Sequence, residues 1–287
     1  MYAYDTCIDV DDGWAEIKNC TITSNVASGI ALDSCDALVE NCTISVDSEY
    51  AEVTPEYLLY YNYLVAGISA AGTSEDTMTI RGGTITAAGD YSCGISAAAL
   101  KNQVLNVSGV KIDAPVGVFT SCRIDTSNYS AYFPYINGEY VPNEKEVSLQ
   151  SSLGRVVLDN VDIEADQYGV ENQNFVEVKD SRISGGEIGF YNAGRGFIMC
   201  ESGTDAELGA YEIVQIYPFF TSVGGDAHIT GSTVTGGDYA VYSSLPVFYD
   251  YSKFMGGDPS EFDFTNYPEA LEAISGCIEK TVCLGAD

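Results

Sequence analysis

The chain has 287 residues, 46% of them hydrophobic, with 42 acidic against 12 basic side chains, one histidine and a net charge of −30. This length and apolar content suffice for a buried core and for one large or two small domains. The negative charge argues against nucleic acid or an anionic membrane surface as a partner, because both would repel the chain. Cations and neutral polymers remain as partners, and an aromatic content of 11% excludes a disordered acidic tail.

The first ten residues, MYAYDTCIDV, lack the basic and then apolar pattern of a signal peptide. They read like the end of a repeat, which predicts that the sequence is a piece of a longer protein. No stretch approaches the roughly 18 to 20 uninterrupted apolar residues that a membrane-spanning helix needs. We therefore expect no membrane insertion.

A six-residue unit recurs along the chain, with an apolar residue first and sixth and a turn-forming residue third. The units open at Ile17, Val39, Ile80, Val107, Leu158, Val178 and Ile229. They close at Ile22, Ile44, Ile85, Ile112, Ile163, Ile183 and Val234. The third positions accept a left-handed backbone at low cost; they are Asn19, Asn41, Gly82, Gly109, Asn160, Asp180 and Gly231. Each unit is thus predicted to be a strand, a sharp bend and a second strand.

A small residue followed by an apolar one comes after most of these units and predicts a third short strand. These pairs begin at Gly29, Gly67, Gly94, Gly117, Gly169, Gly189 and Ala240. No unit contains the ten or more residues of helical periodicity that a β-α-β or helical repeat needs. The sequence therefore predicts an all-β chain.

The stacked repeats, such as Asn19-Cys20-Thr21-Ile22 and Asn41-Cys42-Thr43-Ile44, resemble the right-handed parallel β-helix of the pectate lyase-like superfamily and of many bacterial surface proteins. The resemblance covers most of residues 15–243 and implies a solenoid with an extracellular or cell-surface location. Leucine-rich repeats share the unit length, but their leucine spacing and their turn-or-helix half are missing.

Charges predict how consecutive units pair, because residues in the same column of stacked strands lie about 4.8 Å apart. Three complementary pairs result, and no like-charged pair arises between consecutive units. The pairs are Lys18 with Glu40, Asp159 with Lys179, and Asp162 with Arg182. They indicate the register more than they stabilise the fold, since exposed ion pairs contribute on the order of 0 to 1 kcal/mol.

Nine cysteines, an odd number, argue against the disulfide framework of small secreted domains. Cys20 and Cys42 share one repeat column and are expected to pack as small buried thiols. A disulfide between Cys277 and Cys283 stays open. Zinc is disfavoured because there is no paired CxxC motif and only one histidine.

Four insertions interrupt the repeat, at residues 49–64, 126–152, about 201–224 and 245–267, and the first two are rich in tyrosine. Loops on a rigid repeat commonly carry function, and aromatic faces beside carboxylates suit a sugar ligand. The candidate ligand-binding residues are Tyr57, Tyr60, Tyr61, Tyr63, Tyr132, Tyr135 and Tyr140. The alternative is that these rings pack the loops against the body of repeats, with their hydroxyls in solvent.

We expect two parts, with residues 1–244 forming the repeats and residues 245–287 forming an aromatic loop and a C-terminal cap. Residues 268–278 (PEALEAISGCI) place Leu271, Ile274 and Ile278 on one face of a short amphipathic helix. Such a helix would cover the unpaired strand edge at the end of the stack.

The resemblance also implies an enzyme alternative. A polysaccharide lyase would need acidic calcium ligands beside an arginine or lysine base. The candidates are Asp159, Asp162, Glu164 and Asp166 with Arg155, Lys179 and Arg182. Pairing between units already uses two of these acids and two of these bases. A hydrolase would need paired catalytic aspartates with their accompanying motifs, which are missing, and His228 is expected at a surface or interface.

No cofactor and no metal site are predicted. The acidic run at Asp9, Asp11 and Asp12 is not an EF-hand, because the closing glutamate of such a loop would fall on Cys20. Weak surface binding of Ca²⁺ stays open.

These observations predict a noncatalytic extracellular or cell-surface module, adhesin-like, that binds a glycan or a protein through its loop insertions. The expected partner is a polysaccharide or a host or cell-surface glycoprotein, with no nucleic acid and no membrane insertion. No catalytic residue is assigned. The alternatives are a polysaccharide lyase or glycoside hydrolase of the pectate lyase-like superfamily and a purely structural stalk.

Overall fold

The computed structural model describes residues 6–48, 65–72, 75–100, 103–122, 135–136, 139–140, 154–193, 195–204, 211–223, 226–244, 247–250 and 282–284. Within these ranges the chain is all-β, as predicted, and contains no helix.

Ten of the described strands lie before residue 154. They are β1 (Ile8–Lys18), β2 (Thr21–Ser24), β3 (Ile30–Asp47), β4 (Val65–Ala71), β5 (Thr77–Ala88), β6 (Ser92–Leu100), β7 (Val104–Ser108), β8 (Lys111–Cys122), β9 (Tyr135–Ile136) and β10 (Glu139–Tyr140).

Twelve more strands are described after residue 154. They are β11 (Arg155–Asp159), β12 (Asp162–Gln173), β13 (Phe175–Lys179), β14 (Arg182–Gly185), β15 (Ile188–Ala193), β16 (Arg195–Thr204), β17 (Tyr211–Val223), β18 (Asp226–Thr230), β19 (Thr233–Gly236), β20 (Tyr239–Ser244), β21 (Val247–Asp250) and β22 (Val282–Leu284).

The predicted solenoid of short stacked strands is wrong. Residues 30–33 of β3 pair with β4 and residues 37–47 pair with β5, all in parallel. β4 pairs with β6, β6 with β8, and β8 with β5, also in parallel. These five strands therefore form a closed ring, a parallel barrel core, and the further strands lie outside it. Five of the seven bends separate two strands as we expected, but β3 and β5 run through theirs, and β3, 18 residues long, reaches different neighbours on either side of its bend.

The resemblance to the pectate lyase-like superfamily is corrected together with the solenoid. The adhesin-like role rested on that resemblance, and nothing in the fold supports it. The predicted helical cap at residues 268–278 lies outside the described residues. The C-terminal element that the structure does describe is a strand, β22, which pairs antiparallel with β20.

The predicted register and bends are confirmed. Lys18 pairs with Glu40, Asp159 with Lys179, and Asp162 with Arg182. All seven predicted bend residues have positive φ angles, from 47° at Asp180 to 63° at Gly82. The sequence pattern therefore predicted local geometry and pairing correctly, although the way in which the strands close on each other differs from the prediction.

The apolar residues that close the units form a continuous column in the core. Ile44, Ile85, Ile112, Ile163 and Ile183 are each at most 2% exposed. Consecutive members occupy paired positions on adjacent strands, so each side chain packs on the next. Full burial of one such side chain contributes about 1.5 to 3 kcal/mol. This column is the main apolar support beneath the bends.

The thiols of Cys20 and Cys42 lie at the bends, where the prediction placed them. Cys42 is buried, Cys20 is partly buried, and both are free thiols. Cys20 Sγ contacts the Lys18 carbonyl at 3.3 Å, and Cys42 Sγ contacts the Glu40 carbonyl at 3.5 Å. Ser181 makes the same contact two residues back, donating to the Lys179 carbonyl at 2.6 Å. The cysteines thus take the place of bend serines.

The insertions are described only in part. Residues 49–64 lie outside the described ranges, and from residues 126–152 only β9 and β10 are described, as an antiparallel pair. Around residues 201–224, β17 runs antiparallel to β16, whose other side pairs in parallel with β21. The expected division at residue 244 stays a prediction, as does a disulfide to Cys277, which lies outside the described residues.

Candidate ligand-binding face

The structure tests little of the predicted tyrosine site. Tyr57, Tyr60, Tyr61, Tyr63 and Tyr132 lie outside the described residues. The backbones of Tyr135 and Tyr140 pair directly across β9 and β10, so these two residues are neighbours. The remainder of this site stays a prediction.

A second group of tyrosines lies on β12, β15 and β20, which pair in parallel and in register next to β8. We call these four strands the site ladder. Val118, Val170, Phe190 and Val241 occupy one paired column that faces the core. Because side chains alternate along a strand, the next residue of each strand points outward. These outward residues are Phe119, Glu171, Tyr191 and Tyr242.

Four tyrosine rings form a continuous chain of contacts on the outside of this ladder. The ring centroids of Tyr168 and Tyr191 are 5.6 Å apart, those of Tyr191 and Tyr242 are 5.5 Å apart, and those of Tyr242 and Tyr239 are 5.3 Å apart. The rings are tilted by 39° to 52°, a favourable arrangement for aromatic pairs. All four side chains are partly exposed. We call this set the tyrosine face.

Carboxylates accompany the rings. Glu171 is only 8% exposed, and its carboxylate accepts a hydrogen bond from Gln173 Nε2 at 3.1 Å. Glu187 is exposed, in the bend before β15. Burial raises the pKa of Tyr168, and the negative charges of Glu187 and Glu171 raise it further. Tyr168 therefore stays protonated and lies in the negative field of these two acids.

A ladder of polar side chains stiffens the sheet beneath this face. Thr120 Oγ1 donates to Asn172 Oδ1 at 2.7 Å, and Asn172 Nδ2 donates to Asn192 Oδ1 at 2.9 Å. Asn192 Nδ2 reaches Ser243 Oγ at 3.4 Å. Thr120 and Asn172 are fully buried. Fully satisfied buried networks of this kind rigidify a structure, so the backbone that carries the tyrosines is held in one geometry.

Further buried amides tie the end of β12 to β8. Gln173 N donates to Thr120 Oγ1 at 3.2 Å, and Asn174 Nδ2 donates to the Ser121 carbonyl at 3.2 Å. Asn174 also caps the following strand, because its Oδ1 accepts from Phe175 N at 3.0 Å. The end of β12 and the turn into β13, residues 173–175, are thereby tied to β8.

The residues considered for lyase chemistry do not form a catalytic group. Arg182 Nε lies 2.7 Å from Asp162 Oδ1, and Lys179 Nζ lies 2.8 Å from Glu177. Arg155 forms an ion pair with the same Glu177 carboxylate. The hydrogen bond from Lys179, together with the positive charge of Arg155, lowers the pKa of Glu177. All three candidate bases are therefore engaged with carboxylates along the strands.

The lone histidine lies beside an aromatic ring, as part of the strand surface. The His228 ring is 5.6 Å from the Phe175 ring, and His228 pairs with Glu177 in the register of β13 and β18. In the part of the chain that the structure describes, no three or more histidine, cysteine, aspartate or glutamate side chains are grouped to hold a metal ion.

The sequence carried a signal for the tyrosine face that our motif did not include. The third strand of each unit was recognised by a small and then an apolar residue, and its flanking residues were ignored. Those flanks read Tyr-Gly-Val-Glu-Asn at residues 168–172, Ile-Gly-Phe-Tyr-Asn at 188–192 and Tyr-Ala-Val-Tyr-Ser at 239–243. Aligning the three segments would have placed the tyrosines and the polar ladder in columns.

Among the described residues, no helix has the length and apolar character needed to cross a bilayer. No family model, no curated protein and no solved structure matches the chain.

Proposed function

We propose that the chain is a noncatalytic binding module that holds a polysaccharide on the tyrosine face. The observation that carries this proposal is the unbroken chain of ring contacts from Tyr168 through Tyr191 and Tyr242 to Tyr239. Sugars offer C–H faces that pack on aromatic rings and hydroxyls that hydrogen-bond to carboxylates and phenols. The exposed Glu187 supplies such a carboxylate close to Tyr168.

The geometry favours an extended polymer over a small compact ligand. The tyrosines follow the direction in which the strands pair, and neighbouring strands lie about 4.8 Å apart. Successive rings therefore repeat on the scale of one sugar unit. A polysaccharide lying across β12, β15 and β20 would meet a ring on each strand. The polar ladder supports this mode of binding, because a preorganised surface loses less entropy when the ligand binds.

An enzymatic role receives less support. Arg155, Lys179 and Arg182 are held in ion pairs, and they lie on β11, β13 and β14, none of which carries a tyrosine of the face. A lyase base must be free to take a proton from its substrate. The lyase or hydrolase alternative would be favoured only if product release were detected.

The test is a binding and turnover screen against soluble polysaccharides, followed by calorimetric titration of every ligand that binds. Replacing Tyr191 or Tyr239 by alanine should weaken binding at least tenfold, as expected for an aromatic residue at the centre of an interface. Tyr91→Ala is the matched control, because Tyr91 is 44% exposed and lies outside the site ladder. Unchanged thermal unfolding would show that each variant is folded.

Three results would contradict the proposal. They are no binding in the whole panel, binding that Tyr191→Ala and Tyr239→Ala leave intact, and release of unsaturated or reducing-end products. A Tyr60→Ala/Tyr61→Ala variant tests the loop tyrosines separately, because loss of binding in that variant alone would move the site to the insertion at residues 49–64.

A further inference from the structure

Two free thiols lie side by side at the first two bends. Cys20 and Cys42 occupy the fourth position of the first two repeat units, where the later units have glycine, valine or serine. Each cysteine directly precedes a threonine, and these threonines, Thr21 and Thr43, are register partners. Matching positions on neighbouring strands are about 4.8 Å apart, which falls within the roughly 4.4 to 6.8 Å between the Cα atoms of a disulfide.

Both thiols reach the same short stretch of backbone. Cys20 Sγ lies 3.3 Å from the carbonyl oxygen of Lys18, and Cys42 Sγ lies 3.5 Å from the carbonyl oxygen of the preceding residue, Ile17. Burial raises the pKa of the Cys42 thiol, and a hydrogen bond with the Cys20 thiol raises it further. The two thiols are therefore direct neighbours in the folded chain.

The two thiols differ in their access to solvent. Cys20 is partly exposed, whereas Cys42 is only 4% exposed. Access and the fraction of thiolate decide which cysteine a reagent in solution attacks or is attacked by. A small reagent therefore reaches Cys20 first, and Cys42 is placed to react with Cys20.

We infer that Cys20 and Cys42 form a redox site, at which a small-molecule disulfide such as oxidised glutathione joins them in a reversible disulfide. The Cys20 thiolate attacks one sulfur of the small disulfide, and one glutathione leaves as its thiolate. The Cys42 thiolate then attacks Cys20 Sγ, and the second glutathione leaves. The two cysteines lose two electrons and two protons, and the small disulfide is reduced to two thiols. The new bond ties the first bend to the second, in addition to the pairing of β1 and β2 with β3.

The test incubates the full, reduced chain with oxidised glutathione in native buffer and then blocks the remaining thiols with an alkylating reagent in denaturant. Mass spectrometry maps the products after digestion with a protease that cuts after glutamate, because Glu40 lies between the two cysteines. The expected main product is a pair of peptides joined through Cys20 and Cys42, and excess reduced glutathione should restore both thiols. Amide hydrogen exchange in β1 and β2 should be slower in the oxidised chain, because the link opposes local opening.

Serine variants separate the roles of the two cysteines. Serine suits this position, because Ser181 occupies it in a later unit and makes the same contact with the backbone. Cys42→Ser should stop the reaction at a mixed disulfide between Cys20 and glutathione, whereas Cys20→Ser should leave Cys42 as a free thiol. Cys7→Ser is the matched control, because Cys7 is an exposed free thiol outside the pair, and this variant should still form the link.

Three results would overturn the inference. They are two unreacted thiols after incubation in native buffer, a disulfide from Cys20 to a cysteine other than Cys42, and a link that forms only in the unfolded chain. Unchanged hydrogen exchange in the linked chain would overturn the claim that the bond opposes local opening. The oxidation test and the polysaccharide screen succeed or fail independently, because the tyrosine face takes no part in this chemistry.

Discussion

Seven strands pair in parallel one after another, and the early and late members of this series have the same backbone pairing but different side chains. From β3 through β4, β6, β8, β12 and β15 to β20, every strand pairs in parallel with the next and buries an apolar residue in the same column. The outward position beside that column is small in the first three strands and large or acidic in the last four. Its residues are Ala31, Ser69, Ser96, Phe119, Glu171, Tyr191 and Tyr242.

The inward position two residues after Ile30 and its counterparts changes at the same point. The early strands have Leu32, Ala70 and Ala97, and the later ones have Thr120, Asn172, Asn192 and Ser243. An apolar column thus gives way to a hydrogen-bonded one at β8, the same strand at which the outward residues become large or acidic. This difference shows that one apolar column is enough to hold all seven strands in register. The neighbouring columns can therefore differ, and on the later strands they carry hydrogen-bonded side chains inside and large or acidic side chains outside.

Breaking the polar ladder should have the largest effect on the free energy of unfolding. Asn172→Leu makes this position like Leu32 of β3, but it leaves Thr120 and Asn192 without their buried partner. We expect a loss of about 2 to 4 kcal/mol in the free energy of unfolding, because each buried polar group without a hydrogen bond costs about 1 to 3 kcal/mol. Urea unfolding measures it. Asn106→Leu, on β7 and only half-buried, is the control and should change stability by less than about 1 kcal/mol. Equal losses of stability in the two variants would show that the polar ladder does not stabilise the fold.

The second-largest loss of stability is expected from replacing the glycine at the start of the third strand of a unit. In Gly94→Ala the new Cβ would lie 2.7 Å from the Gly117 carbonyl oxygen and would also meet the Ile112 side chain. We expect a loss of about 1 to 3 kcal/mol from overpacking, measured by urea unfolding. Ala240 occupies the same position in β20, so Ala240→Gly is the control, with an expected cost of at most about 1 kcal/mol. Gly94→Ala without cost would mean that the early strands are not as closely packed as described.

Replacing a bend residue should have a smaller effect on stability, and the effect should depend on which residue is introduced. Asn160 has a φ of 50°, so Asn160→Val places a β-branched residue in a left-handed conformation. The expected cost is about 1 to 2 kcal/mol, whereas Asn160→Gly should be nearly neutral. Thermal or urea unfolding of the two variants measures the difference. If valine and glycine were tolerated alike, the left-handed bend would not be required at this position.

Removing an ion pair of the early strands should have the smallest effect on stability. The hydrogen bond from Arg81, aided by the charges of Arg81 and Lys18, lowers the pKa of Glu40 below its ordinary value of 4.5. Because the folded chain binds this proton less tightly than the unfolded chain does, the stabilisation is present above pH 4.5 and is lost as the pH falls below it. Arg81→Gln should therefore lower the urea midpoint slightly at neutral pH and leave it unchanged in acid. A larger decrease of the urea midpoint in acid than at neutral pH would contradict this pH dependence.

Residue patterns sufficed for the local structure and the register. Asn19 and Asp180 indicated their bends because few residue types accept a positive φ, and Lys18 with Glu40 indicated a pairing because strands in register bring columns together. The closed ring was missed because nothing local shows that β3 continues through its bend and pairs with both β4 and β5. The tyrosine face was missed because our repeat motif ended at the apolar residue, one position before Tyr191 and Tyr242.

The most direct test of the central claim converts one late strand into an early one at the surface. Tyr191→Ser gives β15 the residue that β6 has at Ser96, while the buried Phe190 and the partly buried Asn192 remain unchanged. Calorimetric titration with the polysaccharide that the screen identifies should show at least a tenfold loss of affinity with unchanged thermal unfolding. Full affinity in a folded Tyr191→Ser variant would contradict the claim that the tyrosine face is the binding site.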